Sequence, residues 1–253
     1  MIGGARGPAR LLAAGLPVLP ALLAPGAVIL ARTGQQRLLL PILATVAVYP
    51  VMAALLLRGR RPAAVAATLL WAASLSASII AATRTDPASM AHVVLNGTAY
   101  RDEMFAFIRS GAGRESDPSR FLPQHLVHFT AFSVLAAGSG GLFGIVLGAV
   151  LVGYMSYYVG ALAAAGGAPG IALLCGWAPW AILRVVGFVI VGMGVSEPVL
   201  FGLHRRLAGG AGIPRTSYRS WYIVAGLLLI GDAVLKLFLA PAWAALLRPC
   251  LAP

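Results

Sequence analysis

From Gln124 to Gly166 the chain runs for 43 residues without an Asp, Glu, Lys or Arg. At about 1.5 Å per residue a helix of that length would be roughly twice as long as the ~30 Å hydrocarbon core of a bilayer is thick. Inside hydrocarbon only helices and closed barrels satisfy their own backbone groups. The run is therefore too long for one crossing, and GSGG at 138–141 is its natural break. Two crossings are the preferred reading of this segment, and a re-entrant first half is the alternative.

The rest of the chain has the same character. It is 60% hydrophobic and 10% charged, with a mean hydropathy of +0.89, which a water-soluble core of this length does not accommodate. Residues 11–31 form a first apolar run interrupted by Pro17, Pro20 and Pro25, which should kink it. Arg6 and Arg10 precede that run, as they would in a signal peptide, but its length and the lack of a clean A-x-A site favour an uncleaved span. Further spans are expected at about 38–57, 63–82, 170–202 (with Pro179 inside it) and 221–246. With the two pieces of 124–166 this gives an all-α polytopic membrane protein of seven helices, or six with a re-entrant hairpin. Nothing in the composition divides residues 1–253 into more than one transmembrane domain.

The net charge of +12 would suggest nucleic acid in a soluble protein. Here the arginines gather in the gaps between apolar runs, as in RGRRP at 58–62 and in the 204–219 loop, and point instead to lipid headgroups. By the positive-inside rule the N-terminus is cytoplasmic, residues 83–122 and the C-terminus lie outside, and the location is the inner (cytoplasmic) membrane. In the outer segment, Tyr100, Met104, Phe107 and Ile108 recur at helical spacing opposite Arg101, Asp102, Glu103 and Arg109. That pattern predicts an interfacial amphipathic helix, capped by Thr98 and stopped at Gly111. The two cysteines, Cys175 and Cys250, indicate neither a disulfide framework nor a metal cluster.

Charges inside spans narrow the choice of functional residues, because each costs about 2.5–3.5 kcal/mol at the membrane centre even on a lenient scale. Arg184, Asp232 and Lys236 are the deep ones. Asp232 and Lys236 are spaced for an intrahelical pair, and antiparallel packing of the last two spans would bring Arg184 to the depth of Asp232. Glu197 lies near the surface, where an arginine of the 204–219 loop is its expected partner. Gly141, Gly144 and Gly148 give one face of their helix a small-residue spacing suited to close helix packing, or to a gap for a substrate or lipid tail.

Two functional readings follow. The first is a non-catalytic membrane protein, a subunit or scaffold of a larger assembly, a homo-oligomer or a permease-like unit, with lipid and other membrane subunits as partners and no nucleic acid. It needs no cofactor. The second is an intramembrane metal-dependent hydrolase or protease in which His125 and His128, with Glu103 or Glu115, bind zinc and activate water.

Two family resemblances bear on these readings. Leu235-Lys-Leu-Phe-Leu-Ala-Pro241 resembles the end of the last span in the stage II sporulation protein M family, and the glycine-studded stretch 138–160 is similar to that family's central spans. The resemblance covers about residues 125–243 and implies a helical scaffold or permease without catalytic residues. Phe121-x-x-x-His125 looks like one half of the signature of the intramembrane CAAX-processing proteases; the acidic half of that signature has no match here.

Overall fold

The computed structural model describes residues 16–208 and 217–252. Among these residues ten helices follow one another: α1 Leu19–Gly34, α2 Leu39–Leu57, α3 Arg61–Thr85, α4 Pro87–Val93, α5 Gly97–Ser110, α6 Pro118–Ser139, α7 Leu142–Ala164, α8 Pro169–Cys175, α9 Pro179–Ala208 and α10 Arg219–Leu247. Single 3₁₀ turns lie at Arg114–Ser116 and Arg248–Leu251, and no strand occurs among the described residues. The start of the first expected span, with Arg6 and Arg10, and much of the 204–219 loop lie outside them.

Among the described residues, five stretches are long and apolar enough to cross a membrane: α2, α3, α7, the α8–α9 stretch and α10 with its 3₁₀ tail. α1 is apolar but has 16 residues, and α6 is diluted by Arg120, Gln124, His125 and His128.

The break in the long uncharged run falls where glycine allows it. Gly140 and Gly141 take φ values of +62° and +97°, and the Gly141 N–H donates to the Ala136 carbonyl, turning α6 back onto α7. The residue pairs Ala136/Gly144 and Phe132/Gly148 are in contact, an antiparallel register in which the glycines of α7 admit the side chains of α6.

The last two long helices pair the same way. Arg184 meets Asp232, Gly187 faces Leu229 and Gly194 faces Tyr222, with pairs marching in opposite directions along α9 and α10.

One expectation is refined and two are corrected. Pro179 lies inside the apolar stretch Pro169–Leu207, but the helix there is broken at Gly176–Ala178, and proline, with no N–H to leave unbonded and its φ fixed near the helical value, opens α9. The short α8 precedes it. Thr98 is not the cap of the amphipathic helix; Asn96, in the left-handed region at φ 62°, precedes a helix that starts at Gly97. Gly111, at φ 70°, does stop it. Finally, the apolar stripe of α5 does not face lipid. Met104, Phe107 and Ile108 are buried against Tyr158, Val159 and Leu162 of α7 and Trp243 and Leu247 of α10, because these helices offer a larger apolar surface than the edge of a headgroup layer.

The bundle has two distinct ends. At one, Arg61 at the start of α3 meets Glu197 late in α9, and the α6–α7 turn rests on Met52 and Ser196. At the other, Thr83 near the end of α3 touches Gly160 near the end of α7, and the polar segment 86–117 covers the helix ends.

Candidate functional site

Under that polar segment lies a connected set of buried charges. The Arg184 guanidinium holds the Asp232 carboxylate with two hydrogen bonds, Nε to Oδ2 at 2.9 Å and Nη2 to Oδ1 at 2.8 Å. This bidentate fork is the arrangement a planar guanidinium makes best. Asp232 Oδ2 also lies 3.4 Å from His125 Nδ1 on α6. The other ring nitrogen of His125, Nε2, is 3.4 Å from Lys236 Nζ.

Lys236 does not pair with Asp232 on its own helix. Its ammonium reaches Glu115 Oε2 at 2.8 Å, in the 3₁₀ turn between α5 and α6, and it sits 4.7 Å from the centre of the Phe121 ring. An ammonium has three N–H donors and no acceptor. Carboxylate, imidazole and aromatic face give it three neighbours. The same rule fixes the histidine tautomer: Nε2 must accept from Lys236, so the ring proton is on Nδ1, facing Asp232.

Arg184 and Lys236 carry two positive charges, Asp232 and Glu115 two negative ones. The neutral imidazole lies between the two pairs. Lys236 and Asp232 are 1% and 2% exposed, so only this mutual compensation allows them to remain charged away from water.

Beside the network is a small cavity of about 20 Å³, lined in part by Tyr100, Glu115, Tyr158, Trp177, Trp180 and Arg184. Burial, and after it the Glu115 carboxylate, push the Tyr100 hydroxyl well above the ordinary tyrosine value.

The second charge site is at the opposite end. Glu197 is buried and accepts from Arg61, with Nη2 to Oε2 at 2.8 Å and Nε to Oε2 at 2.9 Å. The Arg61 guanidinium lies 3.9 Å from the centre of the Tyr218 ring. This corrects the expected surface pair with an arginine of the 204–219 loop: the partner comes from the RGRRP turn, which folds inward over the end of α9.

The zinc ligands expected from sequence do not assemble. Glu103 pairs with Arg114 at 3.2 Å, and both nitrogens of His125 are engaged in the network. His128 is half-buried one turn on. No group of three or more His, Cys, Asp or Glu suited to a metal occurs among the described residues.

Between the two charge sites is an apolar cavity of about 70 Å³, lined in part by Trp71, Phe132, Gly144, Gly148, Phe188 and Gly192. Gly141 lines it too. The glycines allow close approach at Ala136 and border a gap beside Phe132. Comparison with protein families, with curated proteins and with solved structures finds no match to this chain.

Of the site residues, Glu115 and Arg61 are those that sequence reasoning placed least well. Glu115 stood only as an alternative metal ligand, and Arg61 only as a topology signal. The one hint was that two buried cations, Arg184 and Lys236, need two acids, while only Asp232 lies in the last two spans at their depth.

Proposed function

We propose that this chain is a non-catalytic multi-pass membrane protein of the permease type, in which the two buried charge sites are latches at opposite ends of a solute path. One observation carries the reading. The α9 residues that line the apolar cavity run from Val185 to Ser196, and the residues flanking them are Arg184 and Glu197, each held in a buried ion pair with another helix. A path closed at both ends by charged contacts that can break separately is the minimum an alternating gate requires.

In this reading α1, α2, α3, α6, α7, α9 and α10 all cross the inner membrane. The N-terminus and the Arg61–Glu197 latch are cytoplasmic, and the C-terminus and the Asp232 network lie on the outer side. The arginines of the 58–61 turn favour that orientation. The scaffold or permease character implied by the resemblance to the sporulation protein M family agrees with it. A hydrolase would need an imidazole or carboxylate free to take a proton from water, and His125, Asp232 and Glu115 each face a partner.

The test is accessibility of the cavity from each side. In a protein with Cys175→Ala and Cys250→Ala, a Gly148→Cys thiol is labelled with an impermeant reagent in oriented vesicles. Glu197→Gln should raise labelling from the cytoplasmic face alone, and Asp232→Asn from the outer face alone. Labelling unchanged by both substitutions would make the ion pairs structural staples and remove the gated reading.

A further inference from the structure

The small cavity beside the charge network has a chemistry that selects its occupant. Arg184 uses two of its five N–H groups on Asp232, and it has no other hydrogen bond among the described residues. Its remaining donors belong to a side chain that lines the cavity. Two further lining side chains, Tyr158 and Trp177, have buried polar atoms, Oη and Nε1, without a partner in the protein. Across the same space is Glu115, whose Oε2 takes the Lys236 ammonium. Two buried groups left unbonded, Tyr158 Oη and Trp177 Nε1, disfavour an empty site, and an acceptor placed among them and the Arg184 guanidinium relieves that cost.

The volume, about 20 Å³, is that of roughly one water molecule and excludes an organic solute. Hydrogen-bond sense then decides between water and a halide ion. Going round the network, Arg184 donates to Asp232, the Asp232 carboxylate lies 3.4 Å from His125 Nδ1, and the Lys236 ammonium, a donor only, faces His125 Nε2 and Glu115. The gap between Arg184, a donor, and Glu115, an acceptor, is bridged only by a group that accepts on one side and donates on the other. Water does both. A halide accepts only and would face the carboxylate with like charge. It would also upset a set of charges that already sums to zero.

We infer that this cavity is a specific site for a single water molecule that accepts from Arg184 and from one of the two orphan groups, Tyr158 Oη or Trp177 Nε1, and donates to Glu115, closing Glu115, Lys236, His125, Asp232 and Arg184 into one ring. The ring joins the turn between α5 and α6 to α6, α9 and α10. Its water is the one member not covalently part of the chain, and so the one that can leave when the ring opens.

An experimental structure of the full-length protein in lipid, at a resolution that shows ordered solvent and repeated with bromide in place of chloride, tests the site. The expected result is one density peak within hydrogen-bond distance of both Arg184 and a Glu115 oxygen, without anomalous signal in bromide. It should disappear in Ala181→Leu, where the larger side chain occupies the space. A dry cavity, a bromide peak, or a direct Arg184–Glu115 hydrogen bond in the wild-type protein would each overturn the inference. All three are independent of whether the protein moves a solute.

Discussion

The Arg184 guanidinium and the Asp232 carboxylate meet through two parallel hydrogen bonds of 2.9 and 2.8 Å across the interface of the last two long helices. Gly187/Leu229 and Gly194/Tyr222 lie in the same register, so the ion pair and the packing specify one alignment. A slip of one turn would separate the charges and drive side chains into those glycines.

Removing one partner should therefore be more harmful than removing both. Asp232→Ala leaves Arg184 charged and buried, and the loss should be of order 3–5 kcal/mol. Arg184→Leu with Asp232→Leu should recover more than half of it, but not all, because His125 loses the carboxylate beside its Nδ1 as well. Denaturation in mixed micelles, followed by helical circular dichroism, measures both. A double variant no more stable than the single one would mean that the pair is not what holds α9 against α10.

His125 should be replaceable only by a side chain that both donates and accepts. His125→Gln can present N–H to Asp232 and a carbonyl to Lys236, and should cost under about 1 kcal/mol. His125→Leu removes both functions from a buried site and should cost about 1–3 kcal/mol. The ranking is read from the same denaturation curves, and equal losses would show that the imidazole is filling space.

The Arg184–Asp232 contact is legible in the sequence because a buried guanidinium cannot discharge, and one acid lies at the right depth on the neighbouring span. The turn at Gly140 and Gly141 is legible for a comparable reason: the run is too long for one crossing, and glycines mark the bend. The partner of Lys236 is not. Glu115 reaches it only because the segment from Gly111 to Gly113, with φ values of +70° and +154°, folds back over α10. Nothing local in RGRRP announces that Arg61 turns inward, since Glu197 is 136 residues away. The break between Cys175 and Pro179 was hidden by continuous hydrophobicity, which is the same for a bent and a straight apolar run.

At the start of α6, Asp117 gives a pH signal in the acid range outside the membrane spans. The Ser119 hydroxyl donates to its Oδ1 at 2.7 Å and the Ser119 backbone N–H at 3.0 Å, and Arg120 is 3.2 Å from Oδ2. The Ser119 hydroxyl bond, with the backbone bond and Arg120, holds the carboxyl below its usual value. A folded pKa below the unfolded one contributes stability that is present above about pH 4 and is lost as pH falls through the folded value. Ser119→Ala should raise the Asp117 titration midpoint measured by NMR. An unchanged midpoint would assign the depression to Arg120 or to the α6 backbone.

The α7 glycines should divide sharply when given a side chain. A Cβ on Gly144 would lie 2.7 Å from the Ala136 Cβ and 3.2 Å from its Cα, a clash with small, stiff neighbours that only a separation of α6 from α7 relieves. Gly144→Val should destabilise by about 1–3 kcal/mol and loosen the packing around Phe132. On Gly148 the nearest atom to an added Cβ is Phe132 Cε2 at 3.8 Å, ordinary contact, and the residue borders the 70 Å³ cavity. Gly148→Ala should be neutral or slightly stabilising, since alanine orders a helix better than glycine by about 0.5–1 kcal/mol and here meets no obstacle. If the cavity is part of a solute path, Gly148→Leu should fold and lose transport, whereas a purely packed core would accept the larger residue with no functional change. Thermal stability of the three variants, set against uptake in vesicles, separates these cases. A Gly144→Val protein as stable as wild type would show that α6 and α7 do not approach as closely as their glycine contacts require.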